Sequence, residues 1–327
     1  MKKNPLLRLI ETNPFMEVWW DSSPLVFEHW ASQFLSKIAP EDRHLYKEYL
    51  DQLFNKEDPT QSIFSGCTTN PPLSLKAIEV DRVYWDHWID ELIINNYDME
   101  IGELFWLTYK EIIFRGAERL LPMFKASGGK YGWVSAQLDP RLATEKNVMI
   151  QQARELASLS PNVMIKVPAT KEGIEVIEEL TAMGISTNTT VCFTLPQILA
   201  SADAAQRGII RAKQKKIDIS KWRAVITMMI GRLTEREELD KQAEKYGISL
   251  TWQDKHWFGI MVFRRAYRIL QDHGYPSKLL ACSLRDGPLV AGRPRFWDIE
   301  KIAGGEIVFT LPPYVLEPFF LIGDRLE

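Results

Sequence analysis

Eight short runs of β-forming apolar residues, each separated from the next by enough chain for a helix, constrain this sequence more than any other feature. They fall at 17–21 (EVWWD), 63–68 (IFSGCT), 131–138 (YGWVSAQL), 162–167 (NVMIKV), 187–194 (TNTTVCFT), 223–230 (RAVITMMI), 278–284 (KLLACSL) and 306–311 (EIVFTL). Between them apolar residues return at helical spacing. In 171–183, Ile174, Ile177 and Leu180 share a face, with Thr170 as N-cap and Gly184 as stop. In 145–159, Met149, Ala153 and Leu156 do the same. Parallel strands need crossovers of about this length, and eight such strands close a (β/α)8 barrel. A doubly wound open sheet is the competitor. Its phosphate fingerprints are missing, because no GxGxxG follows the first run and no GxxxxGK[ST] occurs anywhere. The expected fold is therefore α/β, a (β/α)8 (TIM) barrel forming one domain over 1–327, with helical insertions at 24–60 and 198–222.

Composition removes several classes of function. Forty Lys+Arg against forty-three Asp+Glu give a formal charge of -3, so no overall field favours nucleic acid or an anionic membrane. The basic cluster Arg207, Arg211, Lys213, Lys215 and Lys216 reads as a solvated helix face. Cys67, Cys192 and Cys282 form neither a disulfide framework nor a CxxC motif. His29, His44, His87, His256 and His273 show no metal-ligand spacing, so no metal site is expected. The N-terminal apolar run is interrupted by Arg8 and Glu11, and no uninterrupted apolar stretch reaches the length of a membrane span. The expectation is a cytoplasmic protein with neither nucleic-acid nor membrane partner. Whether it forms a homo-oligomer stays open.

On this barrel, active sites lie where strands end at their C-terminal side. Asp21 ends the first run and Asn70 follows the second. Gln137 lies near the end of the third, Lys166 sits in the fourth, and Asn188 and Thr190 mark the fifth. Thr227 and Arg232 belong to the sixth, Ser283 and Arg285 to the seventh. Lys166 is the most informative of these. An ammonium among apolar β-formers is costly to desolvate, and burial of this kind turns a lysine amine into a nucleophile near neutral pH. The competing reading pairs it with a carboxylate in the barrel interior. Arg232 and Arg285 read as a bidentate phosphate clamp or as loop arginines in ion pairs. Asp21 reads as an acid/base or as a cap for a helix opening at Ser22-Ser23-Pro24. Asn70-Pro71 reads equally as an N-cap and N1 pair.

Taken together, these residues resemble a known family, the transaldolases, Schiff-base (β/α)8 enzymes of sugar-phosphate metabolism. The carrying motifs are Gly66-Cys-Thr-Thr-Asn-Pro71, Val134-Ser-Ala-Gln-Leu-Asp-Pro-Arg-Leu142 and Asn162-Val-Met-Ile-Lys-Val-Pro-Ala-Thr170 with Glu172-Gly173. Gly184-Ile-Ser-Thr-Asn188, Thr227-Met-Met-Ile-Gly-Arg232 and Ala281-Cys-Ser-Leu-Arg285 follow in the family's order. The resemblance implies that Lys166 is the Schiff-base lysine and Asp21 the acid/base at the donor's C4 hydroxyl. It implies that Asn70 and Asn188 hold a dihydroxyacetone moiety, and that Thr190 helps hold the catalytic water. Arg232 and Arg285, with Thr227 where the family usually has serine, correspond to the phosphate site, and Ser283 is expected among the substrate-binding residues. The implied partners are small sugar phosphates, and no metal or organic cofactor is implied.

Two residues depart from that pattern. Transaldolases carry a glutamate at the position of Gln137, which passes protons through the catalytic water. The related fructose-6-phosphate aldolases carry glutamine there, together with a tyrosine where this chain has Met229. The expected activity is dihydroxyacetone transfer from a ketose phosphate to an aldose phosphate. The rivals are an aldolase without transfer and a non-catalytic sugar-phosphate-binding protein.

Overall fold

The computed structural model describes residues 3–290 and 292–322. A short helix α1 (Pro5–Ile10), capped by the Asn4 side chain, leads into β1 (Glu17–Trp20). Helices α2 (Phe27–Lys37) and α3 (Arg43–Leu53) connect it to β2 (Phe64–Thr68). Three helices follow, α4 (Pro71–Val80), α5 (Arg82–Asn95) and the long α6 (Ile101–Ala126), before β3 (Trp133–Gln137). The alternation is then regular: α7 (Lys146–Ala157), β4 (Val163–Pro168), α8 (Lys171–Ala182), β5 (Thr187–Cys192), α9 (Leu195–Gln214) and β6 (Ala224–Met228). A 3-10 turn (Ile230–Glu235), α10 (Glu237–Glu244) and α11 (Trp252–Asp272) precede β7 (Ser277–Ala281). A small ribbon of β8 (Leu289–Val290) and β9 (Arg293–Pro294), then α12 (Trp297–Glu300), leads to β10 (Val308–Leu311) and α13 (Pro313–Ile322).

Eight of these strands close a barrel in the order β1-β10-β7-β6-β5-β4-β3-β2, every neighbouring pair parallel. The expected barrel is therefore found, and the open doubly wound sheet is not. Its strands are buried along almost their whole length, as befits strands covered by side chains inside and helices outside. Thr170 caps α8 through its hydroxyl, and Gly184 ends that helix with φ of 77°.

Two layers fill the interior. Trp19, Trp133, Met164, Val225, Leu280 and Val308 form an apolar floor. Gly66 makes room for it, because a Cβ there would lie 2.8 Å from the Trp19 ring and 3.0 Å from the Trp133 carbonyl. At the N-terminal end of β1, Glu17 is buried beneath this floor. It accepts from Arg223 at 2.5 Å, Lys278 at 2.9 Å, and Trp19 Nε1 and Ser65 Oγ at 3.1 Å each. Burial works to raise the Glu17 pKa, but the two adjacent cations outweigh it and hold the carboxyl at about 2.

The stretch 24–60 holds α2 and α3, fastened to the wall by aromatic packing. Trp20 lies 4.9 Å from Trp30 and 5.7 Å from Phe64, and Phe34 lies 6.0 Å from Phe320, centroid to centroid. The expectation of an insertion at 198–222 is corrected, since most of that stretch is α9, the crossover helix between β5 and β6. Ile198, Ala202 and Ala205 of α9 are buried against the barrel. Its arginines face α8, with Arg207 on Glu178 at 2.7 Å and Arg211 on Glu179 at 2.8 Å. Charge on that face ties two wall helices together, which is why it resembled an appended helix in sequence. The unanticipated addition lies between β2 and β3, where α4 and α5 precede the wall helix α6.

Candidate active site

Above the floor, the C-terminal ends of the strands open into a cavity of about 580 Å³. Seven of the ten residues singled out in the sequence line it: Asp21, Asn70, Lys166, Thr190, Thr227, Arg232 and Ser283. Gln137, Asn188 and Arg285 do not line it. The reasons differ for each.

Strand register sets the level of the first two, and their local bonding sets them apart from Lys166. Gln137 on β3 aligns with Lys166 on β4, which aligns with Asn188 on β5, so the three stand at one level on adjacent strands. Asn188 is wholly buried between its neighbours. Its Nδ2 donates to Ser135 Oγ at 2.8 Å, and its Oδ1 accepts from Thr227 Oγ1 at 2.6 Å. In this structure the carboxamide fastens β3 and β6 to β5, and the Thr227 hydroxyl is directed at it. The backbone N–H of Gln137 donates to the Tyr109 hydroxyl at 2.8 Å, tying the end of β3 to α6. Burial drives that phenol's pKa up, so it remains protonated.

Lys166 is 8% exposed, and its Nζ donates to the Thr69 carbonyl at 3.2 Å. Among the described residues no carboxylate lies within ion-pair distance of it, so the interior ion-pair reading fails. Asp21 follows β1 directly, its N–H donating to the Leu311 carbonyl at 3.1 Å. Its Oδ1 accepts from Thr68 Oγ1 at 2.6 Å, and that hydroxyl lies 2.6 Å from Thr310 Oγ1. Burial raises the Asp21 pKa above its ordinary value, opposed by the Thr68 hydrogen bond and by the charges of Lys166 and Lys76. Ser23, not Asp21, caps the turn at Pro24–Val26. Asn70 is the N-cap of α4, its Oδ1 accepting from Leu73 N at 2.9 Å, with Pro71 at N1. The capping reading of Asn70 therefore holds, and its Oδ1 is engaged with the helix.

The arginines sit beyond the ends of β6 and β7. Arg232 lines the cavity, half-exposed, with Nη1 3.9 Å from Glu235 Oε2. Arg285 is turned to Glu235 as well, donating from Nε at 2.9 Å and from Nη2 at 2.6 Å. The ion-pair reading of both arginines thus describes this structure. Ser283, at φ of 55°, carries the loop that brings Arg285 round. Met229 also lines the cavity.

Several contributors carry no signal in the sequence. Thr68, Ser135 and Thr310 are hydroxyls inside strands, where threonine and serine pass as ordinary strand residues. Tyr314 of α13, together with His29 and Gln33 of α2 and Lys76 of α4, reaches the cavity from helices outside the motifs. Cys282 lines the cavity too, its thiol pushed up to about 12 by burial and by the nearby Asp21 carboxylate, so it is a poor nucleophile. Among the described residues no cluster of His, Cys, Asp and Glu suits a metal ion, and no helix is long and apolar enough to cross a membrane.

A closed parallel barrel with a buried lysine and a half-buried carboxylate at its C-terminal mouth defines an enzyme of the (β/α)8 class. Residues 54–325 match the family model described as Transaldolase/Fructose-6-phosphate aldolase, and the chain belongs to that family. It is 31% identical to Transaldolase 2 of Streptomyces avermitilis over 77% of this chain and 70% of that protein. It is 34% identical to Transaldolase 1 of the same organism, over 56% of this chain and 47% of that protein. It is also 34% identical to the Transaldolase of Mycobacterium ulcerans, over 63% and 55% of the two chains. In the last two comparisons the match spans about half the relative's length. The family match begins after β1, so Asp21 lies outside it and is tied to the site by β1 pairing with β2 and by Thr68.

Proposed function

We propose that this chain transfers a dihydroxyacetone unit from a ketose phosphate to an aldose phosphate through an imine on Lys166. The carrying observation is Lys166 itself, an amine lining the cavity that donates to one backbone carbonyl and pairs with no described carboxylate. The amine attacks the donor's C2 carbonyl, and loss of water leaves a protonated imine. Asp21 takes the proton from the C4 hydroxyl, the C3–C4 bond breaks, and its electrons pass into the imine to give an enamine. The shortened aldehyde leaves. The enamine then adds to the acceptor aldehyde, Asp21 returns its proton to the new hydroxyl, and water hydrolyses the imine. A carboxyl whose pKa is raised by burial suits both directions of that proton transfer. Arg232 and Arg285 are the groups assigned to the substrate phosphate, and Asn70, Thr190 and Ser283 to its polar contacts.

Gln137 favours a second reading. A carboxamide orients a water but carries no exchangeable acid, so an aldolase that protonates and releases the three-carbon unit is the alternative. Borohydride trapping with fructose 6-phosphate, read by peptide mass spectrometry, tests the shared step. The expected result is a dihydroxyacetone-sized adduct on Lys166, lost together with turnover in Lys166→Met. Turnover that persists in that variant refutes the imine. Acceptor assays with erythrose 4-phosphate then separate transfer from simple cleavage.

A further inference from the structure

Glu235 stands between the two arginines assigned above to the phosphate. Its Oε1 takes both the Nε and the Nη2 donors of Arg285, at 2.9 and 2.6 Å, while its Oε2 lies 3.9 Å from Arg232. The other terminal nitrogen of Arg285 is held by the Ser283 and Leu284 carbonyls at 2.8 and 3.2 Å, with the Tyr314 hydroxyl at 3.4 Å. The guanidinium edge that would form a fork with a phosphate is therefore the edge that already holds a carboxylate.

Charge makes joint occupancy unfavourable. Two guanidinium groups balance a phosphate dianion, but not a dianion and a glutamate together, and two anions sharing one fork repel. The parts of the site differ in freedom to move. The loops carrying the arginines touch backbone to backbone, since a Cβ on Gly231 would lie 1.9 Å from the Ser283 carbonyl oxygen. The Glu235 side chain, in contrast, is 51% exposed and ends a 3-10 turn, so it can leave into water with little loss of packing.

We propose that Glu235 is an internal ligand of the anion site, expelled when a phosphorylated sugar enters. It thereby sets how strongly this chain prefers phosphorylated over unphosphorylated substrates. The proposal rests on the assignment of Arg232 and Arg285 to the phosphate. An internal competitor lowers the apparent affinity of the external ligand, and removing its charge restores that affinity.

The test is calorimetric titration of inorganic phosphate into the wild-type chain, Glu235→Gln and Glu235→Ala, with Arg232→Ala and Arg285→Ala as companions. Both glutamate variants are expected to bind phosphate about fivefold more tightly. The KM for fructose 6-phosphate should fall in parallel, and that for unphosphorylated fructose should not change. Unchanged or weaker phosphate binding in the glutamate variants would make Glu235 a prop for Arg285 and overturn the proposal. If neither arginine variant weakens phosphate binding, the phosphate assignment itself fails, and the role of Glu235 fails with it. Weaker binding in the arginine variants without tightening in the glutamate variants removes the competitor role alone.

Discussion

Replacing Glu17 by glutamine should destabilise the barrel in a manner that depends on pH. The carboxylate is 4% exposed and neutralises Arg223 and Lys278 beneath the tryptophan floor. Its pKa falls from an ordinary 4.5 to about 2, which corresponds to about 3 kcal/mol of stability in the ionised form. Because the folded value lies below the unfolded one, this contribution is complete above about pH 5. It is lost as the pH drops through the folded value of about 2. Burial of Lys278 beside Arg223 lowers that amine's pKa and offsets part of the gain. Removing the charge takes the buried counter-ion from two cations that are each only 15% exposed, so Glu17→Gln should cost about 3 kcal/mol at pH 7. Urea unfolding followed by tryptophan fluorescence at pH 7, 5, 4 and 3 measures the gap between wild type and variant. The gap should narrow steadily with acid, and kcat at 25 °C should stay at the wild-type value while the variant is folded. A gap below about 1 kcal/mol at pH 7, or one that is the same at every pH, would refute the ion-triad reasoning.

Three further outcomes are expected. Gln137→Glu should raise transfer to erythrose 4-phosphate, because it supplies the missing exchangeable proton; a fall would show that the glutamine is tuned to another reaction. Thr68→Val removes the 2.6 Å hydrogen bond that lowers the Asp21 pKa, so the acidic limb of kcat/KM should move to higher pH. A downward move or no move would detach Asp21 from the reacting proton. Arg232→Ala should weaken phosphorylated substrates by about 1–2 kcal/mol, modest because half the side chain is in water. Equal losses for unphosphorylated sugars would remove its phosphate role.

The barrel was legible because parallel strands covered on both faces must be nearly continuous apolar runs, and all eight runs became staves of it. Strand ends, and so the level of Lys166, followed from the same pattern. What escaped was set by contacts between distant segments. Asn188 reads as a polar residue free to meet substrate until Ser135 and Thr227, from two other strands, engage both ends of its carboxamide. Arg285 and Glu235 are fifty residues apart, and only the folded loops bring them together. The charges of α9 misled for a related reason, since their partners Glu178 and Glu179 lie on another helix. Tyr109 was hidden in a helix whose buried face reads as plain core.

Strand β1 carries Glu17 and Trp19 at alternate positions, with Asp21 one step further on. Four residues apart on one extended backbone, the two carboxyls are driven in opposite directions, one acidified and one made more basic. Trp19 spaces the two groups, and neither carboxyl's shift draws on the charged partners of the other. Charges at the mouth can be rewritten to suit a new substrate without the closing charges below registering the change.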